Sequence, residues 1–185
     1  MYNKMAVLIS GKAGAGKTTL ANMVLENLRL QGVQENIVVE PFAKKLKQLA
    51  TELGWNGVKD EAGRRFLQNL GSAIRSYDED YFAREVDKNT MYADLVIIDD
   101  WRFPNEARYF NNTADIMKVA VIGRQAELAP ELANDPSETS LPDPLSPIGG
   151  VFYDQVINNS GNLDYLRSLA GVFSSILYVR MRGRQ

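Results

Sequence analysis

Five apolar residues, Met5 to Ile9, run straight into Ser10-Gly-Lys-Ala-Gly-Ala-Gly-Lys-Thr-Thr-Leu20. The apolar run suits a strand buried on both faces of a parallel sheet, and the glycine-rich loop after it is too free in conformation to be ordinary core. Beyond the loop, Leu20, Met23, Val24 and Leu28 recur at helical spacing, and Gly32 can end that helix. Strand, loop and helix together supply the setting that the pattern Gly11-x-x-x-x-Gly16-Lys17-Thr18 requires to be read as a phosphate-binding P-loop. In such a loop, backbone N–H groups turn inward around a polyphosphate and the helix N-terminus adds favourable partial charge. Gly11, Ala13, Gly14, Ala15, Gly16, Lys17, Thr18 and Thr19 are therefore expected to hold a nucleoside triphosphate, ATP first. Lys17 would reach the β- and γ-phosphates, and the Thr18 hydroxyl would ligate Mg²⁺. The plainer alternative is a glycine-rich strand-to-helix turn.

At 185 residues and 45% hydrophobic, the chain can bury one sizeable core, so a single domain spanning 1–185 is expected. A net charge of -2 and a pI near 5.3 provide no basic field for a nucleic-acid backbone. The chain contains neither cysteine nor histidine, which excludes disulfides, thiolate metal sites and the usual neutral-pH proton shuttle. The run 5–9 is too short for a signal peptide or a membrane span, so the expected location is cytoplasmic with no membrane partner.

Further strands are read at Ile37–Val39, Leu95–Ile98, Ile116–Ile122 and Gln155–Ile157, with helices between them and a last helix carrying Leu166, Leu169, Ala170, Phe173, Ile176 and Leu177. This alternation predicts an α/β fold, a three-layer P-loop sandwich around a parallel sheet of about five strands. Two segments break the rhythm. Residues 59–93 look helical but polar on one side, giving an insert at about 55–93. The stretch 130–147 holds five of the seven prolines and reads as part of a lid at about 124–150.

The strand 95–98 ends in Asp99-Asp100, and an aspartate there can hold Mg²⁺ through water. Adjacent strand residues point to opposite faces, so only one of Asp99 and Asp100 faces the metal squarely. In the insert, Arg64, Gln68, Gly71 and Arg75 form one polar stripe on a helix, with Phe66, Leu70, Ala73, Ile74 and Tyr77 opposite and expected to be buried. At Gly71 the missing side chain would let a ligand come close. A solvated arginine face paired with Asp60 and Glu61 is the bland reading. Arg102 and Arg124, each just past a strand end, favour the other, because strand ends on that side of a parallel sheet converge on the ligand crevice. Several arginines without a histidine suit a phosphate acceptor better than an alcohol. A phosphate monoester is already largely dianionic near neutrality and needs charge neutralisation rather than a general base.

Taken together, the P-loop, "PFAKKLK", "GRRFLQNLG" with Arg75, "DDWRFPNEA" at 99–107, "DPSET" at 135–139 and "VINNSGNLDYL" make the chain resemble the phage-type deoxynucleoside monophosphate kinases. That P-loop family is distantly similar to phosphomevalonate kinase. The resemblance implies transfer of a phosphoryl group from ATP to a (deoxy)nucleoside 5′-monophosphate, in a host cytoplasm if phage-encoded. It implies that Asp100 is the strand-end aspartate and that Arg64, Arg65, Gln68, Arg75 and Arg102 bind the monophosphate. Lys17, Arg102 and Arg124 would act on the transferring group, Thr18 with Asp99 or Asp100 on the metal, and Glu106 would orient Arg102. Many relatives carry histidine where Asp135 stands, and Asp135, Pro136 and Glu138 read as a helix-capping arrangement.

Two rival readings stay open: a kinase of another phosphomonoester such as phosphomevalonate, and a nucleotide-binding switch or assembly ATPase. Phe42, Trp55, Tyr81 and Trp101 are candidates to stack on a base, each also plausible as core. Apolar positions on the last helix could serve a homodimer as easily as the core. Arg180, Arg182 and Arg184 read as complements to that helix's dipole.

Overall fold

The computed structural model describes residues 4–183. Five parallel strands form one sheet: β1 (Met5–Ser10), β2 (Ile37–Val39), β3 (Leu95–Ile98), β4 (Asp115–Ile122) and β5 (Gln155–Asn158), in the order β2-β3-β1-β4-β5. All the strands expected from sequence are present, and the fold is a three-layer α/β P-loop sandwich. The central strand β1 is buried throughout because both its faces are covered. Its Met5, Val7 and Ile9 pack with Leu20, Val24, Phe173 and Leu177, which belong to α1 (Lys17–Leu30) and α9 (Leu163–Arg182). Its Ala6 and Leu8 face the other layer, built on Leu46, Phe82, Val86 and Phe110 of α2 (Ala43–Glu52), α4 (Tyr81–Asn89) and α5 (Pro104–Asn111).

The polar segment 59–93 resolves into α3 (Glu61–Tyr77) and α4, broken at Asp78 and Asp80. The face of α3 that packs on the core is Leu67, Leu70 and Ile74. Phe66, Ala73 and Tyr77, expected to be buried, are exposed, Tyr77 at 95%. This helix packs on α2 rather than on the sheet, so one narrow apolar column suffices. The proline-rich segment is not wholly irregular. It folds into α6 (Pro130–Ala133), α7 (Pro136–Thr139) and α8 (Pro147–Phe152), each with proline in its first turn, where the missing N–H costs no helical bond.

On α9 the buried stripe is Leu166, Ala170, Phe173, Ser174, Leu177 and Met181, while Val172, Ile176 and Val179 face outward. Arg180 clamps Asp115 at 2.6 Å and donates to the Ile116 carbonyl, so it ties the helix end to the start of β4 rather than serving the dipole alone. Arg182 lies on the Tyr178 ring and pairs with Glu35. Arg184 lies outside the described residues. No helix among the described residues is long and apolar enough to cross a membrane.

Candidate active site

The loop after β1 turns on Gly11, Gly14 and Gly16, all at positive φ (145°, 79° and 94°). At Gly11 a Cβ would lie 2.3 Å from the Val121 carbonyl oxygen, so β4 leaves no room for a side chain. Asn159, just past β5, donates to the Ala15 carbonyl at 2.9 Å and buttresses the loop from the side. The Lys17 ammonium folds back onto the Gly11 and Lys12 carbonyls at 2.7 and 3.0 Å. Burial pulls its pKa down to about 8, assisted by the Arg102 guanidinium and opposed by Glu138, Asp100 and Asp99. Thr19 begins the exposed side of α1.

Asp99 and Asp100 separate as their alternation requires. The Thr18 hydroxyl donates to Asp99, directly past the end of β3. Asp100 instead accepts from the backbone N–H groups of Phe42 and Ala43, both at 2.8 Å, and so holds the start of α2. Burial pushes the Asp100 carboxyl up, against these two donors. Asp99, and not Asp100, therefore stands opposite Thr18, while both aspartates line the same cavity. Two hard oxygen donors facing each other, Thr18 Oγ1 and Asp99 Oδ2, fit Mg²⁺, which typically takes one or two protein oxygens and fills its shell with phosphate and water.

From Lys17, Thr18 and Asp99 a cavity of about 880 Å³ extends to Arg64, Gln68 and Arg75 of the insert. Arg75 is half-buried against the Phe82 and Phe103 rings, 4.8 and 4.1 Å from their centroids, with Glu106 Oε1 at 3.9 Å. Gly71 makes this possible. A Cβ there would sit 2.8 Å from Arg75 Nη1, so the space above Gly71 is taken by the guanidinium, where the sequence suggests a ligand.

Arg65 does not join its neighbour. It projects about 100° further round the helix and pairs with Glu61 and Glu131 on an exposed face at 2.7 and 3.4 Å. Arg124 also stands apart: the chain turns at Gly123 (φ 105°), and the exposed Arg124 side chain donates to the Gly161 carbonyl rather than lining the cavity. Arg102 does line it, held by Glu138 at 2.7 Å and the Ser137 carbonyl at 3.1 Å. Glu106 does not touch the Arg102 guanidinium. Its Oε2 accepts from the N–H groups of Arg102 and Phe103, both at 3.0 Å, which caps α5.

Sequence reasoning missed two cations in this cavity, Lys47 of α2 and Lys59 just before α3. Burial lowers the Lys59 pKa, helped by Lys47 and then Arg64. Among the described residues none of these three has a carboxylate within ion-pairing distance. The lysines of "PFAKKLK" were the available signal, but helical phase alone does not say which lysine turns inward. Of the aromatic candidates, Phe42 lines the cavity, while Trp101 is fully buried and stacked on Phe152 at 5.5 Å. Trp55 and Tyr81 do not line it, and Phe103, not foreseen, does.

Burial raises the Glu106 pKa to about 7, with Arg75 the chief opposing influence. The folded value lies above the usual 4.5, so stability is fully present below pH 4.5 and is lost as pH rises through about 7. Glu106→Gln is expected to remove up to about 3 kcal/mol of the stability difference between pH 5 and pH 8. Urea unfolding of both proteins at the two pH values checks this, and parallel curves would refute it.

No family model matches the chain. It is 32% identical over 103 residues to "Probable thymidylate kinase 1" of Saccharolobus solfataricus, covering 55% of this chain and 48% of that one. Over 50 residues it is 40% identical to "Probable thymidylate kinase" of Sulfurisphaera tokodaii, covering 27% and 26%. The chain thus spans about half the length of the first of these relatives and about a quarter of the second. Among solved structures, a mutant of the Mycobacterium tuberculosis APS kinase CysC superposes with a TM-score of 0.50 at 15% identity, over 96% of this chain and 99% of that one. That likeness is one of fold.

Proposed function

We propose that this chain is an ATP-dependent kinase of (deoxy)nucleoside 5′-monophosphates, producing the diphosphate and ADP. One observation carries the reading: a single cavity joins the P-loop to Lys47, Lys59 and Arg64, cations without acidic partners among the described residues. Like charges gathered in one cavity repel one another until an anion arrives to neutralise them. A triphosphate binder without an acceptor would leave that cluster unused. The partial similarity to proteins named as thymidylate kinases supports the same reading and makes thymidylate the first acceptor to try.

In this reading, Gly11 to Thr19 cradle ATP and Lys17 neutralises the transferring group. Thr18 and Asp99 hold Mg²⁺, which when bound neutralises charge on the β- and γ-phosphates. Lys47, Lys59, Arg64 and Arg102 draw in the acceptor phosphate, and Arg75 closes the far wall beside Phe103. Helices α3 and α4 serve as the acceptor-binding insert and residues 124–150 as the lid. Catalysis consists of bringing two anions into line in a water-poor space, with no covalent step and no proton shuttle. A chain without cysteine suits a reducing cytoplasm, where we place the reaction.

Incubating the protein with ATP, magnesium and a panel of monophosphates, including phosphomevalonate, tests the proposal. ADP formation is expected to depend on a nucleoside monophosphate, with deoxynucleotides preferred. ADP release at the same rate without any acceptor would replace this reading with that of an ATPase.

A further inference from the structure

The lid carries a negative charge into the middle of the cation set. Glu138, on the short helix α7, lies 2.7 Å from Arg102, and its side chain is only 9% exposed. Its second carboxylate oxygen is buried and has no hydrogen-bond partner. Its charge also reaches Lys17, where it opposes the lowering caused by burial and Arg102. The backbone of α7 is held by cations too: Lys12 donates to the Glu138 carbonyl at 2.6 Å, and Arg102 to the Ser137 carbonyl. Gln68 adds weaker contacts to the Ser137 hydroxyl and the Leu132 carbonyl, at 3.5 and 3.3 Å.

A carboxylate so placed is the wrong neighbour for a phosphate ester. Two anions on one guanidinium repel, and the unpaired oxygen offers no donor to offset that repulsion. Yet the carboxylate is the right stand-in for a phosphate, because it neutralises the same guanidinium. We propose that Glu138 is an internal competitor for phosphate, seated on Arg102 in the substrate-free protein and expelled with α7 when a phosphoryl group takes its place. This rests on the reading of the cavity as a phosphoryl-transfer site. The device keeps Arg102 occupied until a phosphoryl group reaches it, so the guanidinium is released only when there is phosphate to neutralise.

The competitor is tested by binding, without turnover. Titration calorimetry with inorganic pyrophosphate and magnesium is expected to show about tenfold tighter binding to Glu138→Gln, and to Glu138→Ala, than to the unaltered protein, since a competing charge has been removed. Because the chain has no cysteine, Thr139→Cys gives a single thiol at an exposed position of α7 for a fluorescent label. Its anisotropy should fall when pyrophosphate is added. Equal or weaker pyrophosphate binding by both Glu138 variants, or a label that keeps its anisotropy, would overturn the proposal. The readout does not use the monophosphate panel, so the competitor can stand if no acceptor is phosphorylated, and it can fall while the kinase reading survives.

Discussion

Replacing Lys17 with methionine is expected to lower turnover by about 10³-fold or more while raising the melting temperature of the substrate-free protein. The loss follows from removing the one ammonium that the P-loop wraps, whose charge is most needed as negative charge redistributes between the two phosphates. The gain follows from the same burial. Because the folded pKa of Lys17 is depressed from 10.5 to about 8, its contribution to stability is present above 10.5 and is lost as pH falls through about 8. At neutral pH the empty protein therefore carries an unfavourable buried charge of at most about 3 kcal/mol, less whatever solvent still screens. Methionine keeps the length of the stem and removes the charge. Thermal unfolding at pH 7 and at pH 10.5 separates the two effects, since the stabilisation should shrink at the higher pH. Turnover within tenfold of the unaltered enzyme would remove Lys17 from the chemistry.

The second large effect is expected at Arg75. Changing it to alanine should raise the monophosphate KM by about 10²-fold and move the ATP KM by less than threefold, because Arg75 stands at the insert end of the cavity. Lysine should rescue poorly. The guanidinium plane is held against the Phe82 and Phe103 rings, and a compact ammonium cannot fill that slot or share charge with both faces. A variant whose ATP KM rises more than its monophosphate KM would place Arg75 on the wrong side of the reaction.

These residues show which parts of the molecule are legible in its sequence. The five strands and the P-loop were readable because buried parallel strands are continuous apolar runs and because few loops carry glycine, lysine and threonine at that spacing. Arg64, Gln68 and Arg75 were readable as one stripe because helical geometry fixes relative phase. Absolute phase was not readable, so Phe66 and Tyr77 came out exposed and Arg65 came out on the surface. The pair Asp99 and Asp100 shows the same limit in a strand: alternation says that they diverge, and only the position of α2, whose amides claim Asp100, says which way. Arg124 was misplaced because the turn at Gly123 redirects the chain after β4, and a glycine in a sequence does not announce the direction of its turn. Lys47 and Lys59 were missed because their partnership is made across two helices and a loop.

The hydrogen that serves as the side chain of Gly71 has an evolutionary consequence. What the position supplies is vacancy, since a single methyl group there would push against the guanidinium of Arg75. Drift at such a site is constrained although nothing there donates, accepts or packs. A side chain there would have to be accommodated by swinging the tip of Arg75, so the size of residue 71 and the pose of that guanidinium are set together.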